Sequence, residues 1–515
     1  MAGKKAKQVT SAPAKRSKLA GRRQPAQPAI KPPPRFMTEH KVLSTLCMAM
    51  IQVAALFLLY YSNFGAVTEW VGAIVVLMIG GDIIARVNNL QNLAGMYMLG
   101  SAHGIGIVDY LSKHNVKFWR FMADWGLVLG FGILAWPLFK KYLGRKTYAA
   151  GVVSIILMLF LVYPYLSYTL GFLNLPQVTS KISQPTATSS VGGLSVTGIV
   201  VYAAGIAGGF TAFTIIGIGY NALSVLYSVI STAYNVGVLH NANNTIAQQI
   251  PGVAPLIPGI TIPLFAGIIS LVIILIVHEF SHGVLARLVK VKIKSIGLVL
   301  FGVIPAGAFV EPDEASIKKL SEQSQNRIFI AGVSSNILLS LIFFVLFITF
   351  LLYIMPALLT TKVIVAATVP GSAASVLPTN STILDWNNYP IKNISSFTVA
   401  AKNDTPYSKV SVVTDGGSYL LTANATGKVG VYVNQVSVPL NPGTGFNIVN
   451  FLYAVVSLSF LLNFLVGVVN MLPIPGLDGW RVYQTKIKDK RIMSALTWLV
   501  VLLILLNIVP WFFIQ

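Results

Sequence analysis

Residues 273–283 read Ile-Ile-Leu-Ile-Val-His-Glu-Phe-Ser-His-Gly and lie within an apolar run at 261–289. The run is longer than the roughly 20 mostly apolar residues that a helix needs to cross a bilayer. Two histidines four positions apart project from one face of a helix. Ionisable groups at such depth are costly, by roughly 2.5 kcal/mol or more for a central acidic residue. The stretch therefore predicts a membrane-spanning helix with a polar site near its end.

The spacing of His278 and His282 lets two imidazole nitrogens bind one zinc ion at ~2.0–2.1 Å. Glu279 follows the first histidine, and in this motif it is the general base that takes a proton from the water at the zinc. A mutually hydrogen-bonded polar cluster and an ion pathway are the alternatives. A catalytic zinc also needs a third protein ligand and an open position for water.

The best candidate for the third ligand is Asp478, in the stretch 470–479, which reads Asn-Met-Leu-Pro-Ile-Pro-Gly-Leu-Asp-Gly. Its prolines and glycines prevent a regular helix. Irregular backbone at membrane depth is tolerated only where it is buried in protein or lines a cavity. This loop is predicted on the same side of the membrane as the histidine pair. Asp82 and Asp124 are expected to be helix-packing or helix-end residues.

The composition of the whole chain is that of an integral membrane protein. Of its 515 residues, 55% are hydrophobic and 10% are charged, whereas soluble domains carry about 25% charged residues. We predict a polytopic α-helical membrane protein of about eight to ten spans. The run at 197–230 fits one tilted helix or a broken pair, and 90–111 fits a weak span or an interfacial segment. The apolar runs lie near 43–61, 70–87, 122–139, 149–173, 197–230, 261–289, 327–355, 447–470 and 492–513.

The net charge of +22 is concentrated at the N-terminus, where residues 1–36 contain ten Lys or Arg and no Asp or Glu. This stretch is predicted to be a disordered basic cytoplasmic tail. A tether to anionic lipid or nucleic acid is the alternative, and no nucleic-acid partner is expected. The single cysteine, Cys47, excludes an intramolecular disulfide and a cysteine-based metal site.

Basic clusters at 287–294, 318–327 and 481–491 are predicted to be cytoplasmic by the positive-inside rule. Residues 356–446 must then lie outside, and their alternating apolar and polar residues, broken by Gly, Pro and Asn, indicate short β-strands. All five Asn-x-Ser/Thr sequons fall in segments that this topology places outside. They start at Asn243, Asn380, Asn393, Asn403 and Asn424.

Two motifs together resemble those of the site-2 protease family of intramembrane zinc metalloproteases, especially its archaeal-type members. They are His278-Glu279-x-x-His282-Gly and Asn470-x-x-Pro-x-Pro-x-Leu-Asp478-Gly. The resemblance implies that His278, His282 and Asp478 bind one Zn²⁺ per chain, and that Glu279 is the catalytic base. It covers roughly residues 250–515, and the first 250 residues match weakly.

Residues between the two motifs extend the likeness. Segments 295–297 and 307–312 resemble the sheet or re-entrant loop that lines the family's cleft, and Ala331-Gly332-x-x-x-Asn336 resembles the start of the next span. Asn336 and Asn470 are therefore candidates for binding substrate or supporting the ligands; an interhelical hydrogen bond is the alternative for each. Residues 356–446 resemble the family's PDZ-like insert, although the usual Gly-Asp before the second strand is replaced by Asn380-Ser381-Thr382.

The predicted function is hydrolysis of peptide bonds within or near transmembrane helices of membrane-protein substrates, in regulated intramembrane proteolysis. A non-catalytic membrane scaffold or an ion transporter is the alternative. The expected location is the cell membrane, with the N-terminus and active site on the cytoplasmic side and with transmembrane proteins and the lipid bilayer as partners. The predicted domains are a tail (1–36), N-terminal helices (37–250), a protease core (251–355), an extracytoplasmic β-rich PDZ-like domain (356–446) and C-terminal helices (447–515).

Overall fold

The computed structural model describes residues 40–62, 66–90, 92–101, 104–173, 196–238, 252–253, 256–259 and 261–512. The predicted basic tail and the sequon at Asn243 lie outside these residues. The chain divides into two compact units. The first comprises Met1–Leu99 with Val299–Ala306, and the second comprises Gly100–Leu298 with Gly307–Gln515.

The described residues are mostly helical. The helices are α1 (Lys41–Tyr60), α2 (Ala66–Val87), α3 (Ile105–Lys113), α4 (Val116–Phe131), α5 (Ala135–Phe139), α6 (Arg145–Leu157), α7 (Tyr163–Thr169), α8 (Val196–Gly237), α9 (Leu264–Leu288), α10 (Glu314–Ile317), α11 (Glu322–Phe329), α12 (Ala331–Thr349), α13 (Met355–Leu358), α14 (Ile394–Lys402), α15 (Thr444–Val469), α16 (Asp478–Lys486) and α17 (Lys490–Ile508). π-Helical turns at Met158–Val162 and Phe350–Ile354 continue α6 into α7 and α12 into α13.

The strands form two groups along the chain. They are β1 (Asn92–Leu93), β2 (Met96–Ser101), β3 (Ile293–Phe301), β4 (Ile304–Pro312), β5 (Leu359–Thr368), β6 (Thr382–Trp386), β7 (Tyr389–Pro390), β8 (Lys409–Thr414), β9 (Gly417–Thr422) and β10 (Val431–Pro439). β3 and β4 are hydrogen-bonded neighbours that follow α9 directly.

Eight helices in the described residues are long and apolar enough to cross a membrane, which makes the chain a polytopic helical membrane protein. They cover Lys41–Leu59, Val116–Phe139, Arg145–Leu166, Gly198–Gly237, Leu264–Leu288, Ala331–Leu358, Thr444–Val469 and Lys490–Ile508. The predicted run at 70–87 forms α2, which is not among the eight, and its Asp82 pairs with Arg86. The ambiguous segment 90–111 forms short strands and the start of α3, a nine-residue helix that is too short to span.

Helix α8 is interrupted at Gly209, whose φ of 68° and ψ of −167° are not helical. This geometry favours the broken pair over one tilted helix. A side chain could not be accommodated there, because a Cβ would lie 2.5 Å from the carbonyl oxygen of Leu129. Only glycine takes such a φ readily and also lets the backbone of α4 approach so closely.

The interior of the second unit is built on α9, α12 and α15. Helix α15 is the most enclosed of the three, with Phe460 and Leu462 fully buried. A polar seam joins it to α9, since Ser459 donates to the Ser270 hydroxyl across 3.0 Å. Interhelical hydrogen bonds of this kind hold membrane helices together where lipid supplies no hydrophobic drive for association.

Residues 359–439 form the predicted β-rich region, a sheet of order β10-β5-β6-β8-β9 with β7 paired to β6. The described pairings are antiparallel. Along β8 the buried side chains alternate with more exposed ones, as expected for a strand with one face on a core. Trp386 is 1% exposed and anchors that core. The PDZ likeness of this region stays a prediction.

Candidate metal centre

Three side chains from two distant stretches of the chain meet at one point. His278 Nε2 and His282 Nε2 lie 3.3 Å apart. Asp478 Oδ2 lies 3.2 Å from each of these nitrogens. His278 is buried, and the other two side chains are about 15% exposed or less. The three atoms therefore form a nearly equilateral triangle in the protein interior.

The size of this triangle fits a zinc ion. Four ligands around a tetrahedral zinc with bonds of ~2.0–2.1 Å lie about 3.3–3.4 Å from one another. The observed separations agree with that spacing within about 0.2 Å. Two imidazoles and one carboxylate are also a donor set of catalytic zinc sites, in which the fourth position stays open for water. The residues present therefore fit the ion that the sequence motif predicts.

Helix geometry brings the two histidines together, and a tight turn brings the aspartate to them. Asp478 is the first residue of α16, and Gly476, with φ 97°, turns the chain before it. The Gly479 amide donates to the carbonyl of Asn470 across 2.7 Å. A Cβ at Gly479 would lie 2.7 Å from the Met471 Cα, so the Leu-Asp-Gly turn requires a residue without a side chain.

The second ring nitrogen of each histidine also has a partner. His282 Nδ1 lies 2.7 Å from the carbonyl oxygen of Ile328. Since a carbonyl only accepts, Nδ1 carries the proton and Nε2 keeps its lone pair. Such a partner fixes both the tautomer and the ring orientation of a metal-binding histidine.

His278 is held by Asn336, which is fully buried. The Asn336 Nδ2 lies 3.1 Å from His278 Nδ1, while its Oδ1 has no hydrogen-bond partner. A half-turn of the amide exchanges these two atoms without moving the side chain. Oδ1 then accepts the Nδ1 proton, which satisfies the buried oxygen and frees Nε2 to bind a metal. The donor chemistry of the site therefore favours the turned amide.

Gly332 closes the site from α12. A Cβ at this position would lie 2.5 Å from His282 Nε2 and closer still to His278 Nε2. Side chains essentially never make contacts under 3.0 Å. A side chain at position 332 would therefore overlap both imidazoles.

The Glu279 side chain contacts β4, the second strand after the motif helix. Its Oε2 accepts a hydrogen bond from the Val310 amide of β4 across 3.0 Å. The side chain is partly exposed, so it combines a fixed orientation with access to a small molecule. A general base needs both properties.

Comparison with known proteins identifies the part of the chain that carries this geometry. Residues 266–506 match the model of Peptidase family M50. Through these residues, which make up slightly under half of the chain, the protein is similar to peptidase family M50. This is the site-2 protease family, whose members in general are membrane-embedded zinc metallopeptidases. The predicted family resemblance is confirmed.

A curated relative also matches part of the chain. An uncharacterized protein of Methanocaldococcus jannaschii is 28% identical over 240 residues, which are 45% of this chain and 61% of the relative. The match thus spans about three fifths of the length of this curated relative.

The M50 match includes every predicted site residue. The structure brings together His278, His282, Asp478 and Asn336, while Asn470 contributes its backbone carbonyl to the turn that carries Asp478. Whether these residues bind zinc or substrate stays a prediction. Of the other intramembrane carboxylates, Asp124 is 7% exposed and forms a two-point ion pair with Arg327.

The sequence did not indicate the backbone groups of this site. The Ile328 carbonyl and the Val310 amide carry no side-chain signature that a sequence pattern could reveal. Gly332 was identified only as part of the stretch that resembles the start of the next span, whereas it adjoins both imidazoles. Its position four residues before Asn336, on the same face of α12, is the signal that could have indicated this role.

Proposed function

We propose that this protein is an intramembrane zinc metalloprotease that hydrolyses peptide bonds within or near transmembrane helices of other membrane proteins. The observation that carries the proposal is the triangle of His278, His282 and Asp478 ligand atoms beside Glu279. Peptidase family M50 supplies the reaction class. The choice of transmembrane substrates rests on the placement of the motif at the end of a membrane-spanning helix.

In the proposed mechanism His278, His282 and Asp478 hold one Zn²⁺. Zinc bound there supplies a Lewis acid for the scissile carbonyl and lowers the pKa of water. Glu279 takes a proton from the attacking water and passes it to the leaving amine. The Val310 amide orients the Glu279 carboxylate for both transfers. Asn336 and the Ile328 carbonyl keep the two imidazoles in the tautomer that exposes Nε2.

The substrate must unwind before it is cut, because a transmembrane helix satisfies all its backbone hydrogen bonds internally. Strand β4 offers a template for the extended form. It lies last in its sheet order, next to β3, and its Val310 touches Glu279. Pairing of an extended substrate segment with an open strand edge would supply main-chain hydrogen bonds and bring the scissile bond to the general base.

The proposed orientation places the metal centre and the N-terminus in or near the cytoplasm. The basic clusters around 287–294, 318–327 and 481–491 support this orientation. Residues 356–446 then face outside, and the basic tail lies next to anionic lipid. The proposed role is regulated intramembrane proteolysis of membrane-anchored regulators.

The test compares Glu279→Gln with a control carboxylate, Glu314→Gln, in purified full-length protein. Glu314 lies on α10, where its carboxylate accepts from Arg481. Zinc content is measured by elemental analysis, and cleavage is measured on a panel of helical transmembrane substrates by mass spectrometry.

We expect about one zinc per chain in all three proteins, with cleavage by the wild type and Glu314→Gln alone. Cleavage that survives Glu279→Gln would refute the mechanism. Zinc binding without cleavage of any substrate would favour the scaffold or transporter alternative.

A further inference from the structure

Three consecutive residues near the end of α11 contact three different parts of the second unit. Asn326 contacts α16, Arg327 contacts α4, and Ile328 contacts α9. The sequence gives little indication of this arrangement, because Arg327 was interpreted only as part of a basic cluster that sets the membrane orientation. Two of the elements in contact, α9 and α16, carry the proposed metal ligands.

The most direct of these contacts is the carbonyl of Ile328. It accepts the Nδ1 proton of His282 across 2.7 Å, so the position of one backbone oxygen sets the orientation of a ligand ring. A carbonyl has no freedom of its own: it moves only if the peptide moves. Whatever fixes the chain at residue 327 therefore fixes this hydrogen bond.

Arg327 is fixed by a two-point ion pair with Asp124. Its Nε donates to Oδ1 across 2.7 Å and its Nη2 donates to Oδ2 across 2.6 Å. The two side chains are 20% and 10% exposed. A bidentate arginine–carboxylate pair restrains direction as well as distance, and burial protects it from solvent screening. Helix α4 thus acts as a fixed anchor for the residue that precedes Ile328.

The adjacent residue ties the same turn to the third ligand's helix. Asn326 is fully buried, and its Oδ1 accepts from the Thr485 hydroxyl of α16 across 3.0 Å. Its Nδ2 donates to the Tyr142 hydroxyl across 2.7 Å. Because α16 begins at Asp478, this turn of α11 connects the helix of the aspartate to the backbone partner of His282.

We propose that Asp124 and Arg327 are positioning residues of the metal centre, which act through the Ile328 carbonyl on His282. The inference rests on the proposed function, because it requires a metal at the triangle of ligand atoms. Loss of an outer partner of a metal-binding histidine typically weakens metal affinity about 10–100-fold. Loss of the anchor behind that partner should act in the same direction, by about 10-fold.

The test uses the double variant Asp124→Leu with Arg327→Met. Removing one partner alone would leave a buried charge unpaired, whereas replacing both with apolar side chains is often neutral or stabilising. The matched control is Asp109→Leu with Arg287→Met. That pair is also bidentate, but it joins α9 to α3, and its hydrogen bonds do not involve α11.

The readouts are the zinc dissociation constant, from competition with a chelator, and the thermal midpoint of the metal-free protein. The inference predicts about 10-fold weaker zinc binding in the Asp124/Arg327 variant, wild-type binding in the control, and similar midpoints in both. Arg327→Lys keeps the positive charge but cannot form the two parallel hydrogen bonds. Its zinc dissociation constant should therefore lie between those of the wild type and the double variant. A role in packing alone would lower the midpoint and leave the dissociation constant unchanged.

Three results would overturn the inference. Wild-type zinc affinity in the double variant would overturn this inference and leave the proposed function intact. Weaker binding that the control pair shows to the same degree would also overturn it. A wild-type protein that binds no zinc would overturn both the inference and the proposed function.

Discussion

The replacement Gly332→Ala tests the metal centre with a single methyl group. The new carbon would lie 2.5 Å from His282 Nε2 and closer still to His278 Nε2. Both atoms are the ones that face the proposed zinc. Because no atom of the alanine can rotate away, only displacement of the imidazoles or of α12 relieves the overlap.

The expected effect on zinc affinity is large, while the intrinsic effect on the helix is favourable. Alanine stabilises a helix interior by up to about 1 kcal/mol relative to glycine. Moving a ligand ring should cost at least as much as losing its outer partner, which weakens binding about 10–100-fold. We therefore expect zinc to bind at least about 10-fold more weakly, which corresponds to about 1.4 kcal/mol.

The assay is competition between purified protein and a chelator of known zinc affinity. Gly217→Ala in α8 is the matched control, because a Cβ at Gly217 meets nothing within 4 Å. It should bind zinc as the wild type does. Wild-type zinc affinity in Gly332→Ala, with the fold unchanged, would refute the assignment of the ion to the His278 and His282 nitrogens.

Three further predictions concern the Asn336 side chain, the membrane orientation and the pKa of Asp404. Asn336→Leu removes the partner of one ligand ring and should weaken zinc binding about 10–100-fold in the same competition assay; unchanged affinity would contradict its supporting role. In a Cys47→Ser background, Ser418→Cys should react with a membrane-impermeant maleimide on intact cells and Lys488→Cys should not, whereas the opposite pattern would reverse the proposed orientation. Burial raises the pKa of Asp404 above its usual 3.8 despite its hydrogen bonds from neighbouring side chains. Ionisation is therefore harder in the folded state, and the contribution of Asp404 to the free energy of unfolding should fall as pH rises from 3.8 through the folded pKa. Asp404→Asn should remove this pH dependence from unfolding curves, and identical curves for the two proteins would contradict the assignment.

The sequence predicted the features that follow from local spacing or composition. Helical periodicity placed His278 and His282 on one face, and prolines and glycines predicted the irregular backbone that leads to Asp478, the first residue of α16. Alternation predicted the strands of residues 356–446, such as β8. These signals are local because each depends on side chains within a few positions of one another.

Contacts that depend on packing could not be predicted in this way. Arg327 and Asp124 are 203 positions apart, and nothing in either segment indicates the other as partner. The Ile328 carbonyl is a backbone group that every residue has. Segment 90–111 was ambiguous because its apolar residues fit a weak span or an interfacial segment, and the structure forms short strands and the start of α3 there.

The most direct test of the central claim is zinc K-edge X-ray absorption on the purified protein. The account predicts about one zinc per chain, with two imidazole nitrogens and carboxylate oxygen at ~2.0–2.2 Å. It also predicts that Asp478→Ala loses zinc or replaces the carboxylate with solvent. A zinc coordinated without paired imidazoles, or a spectrum that Asp478→Ala leaves unchanged, would contradict it.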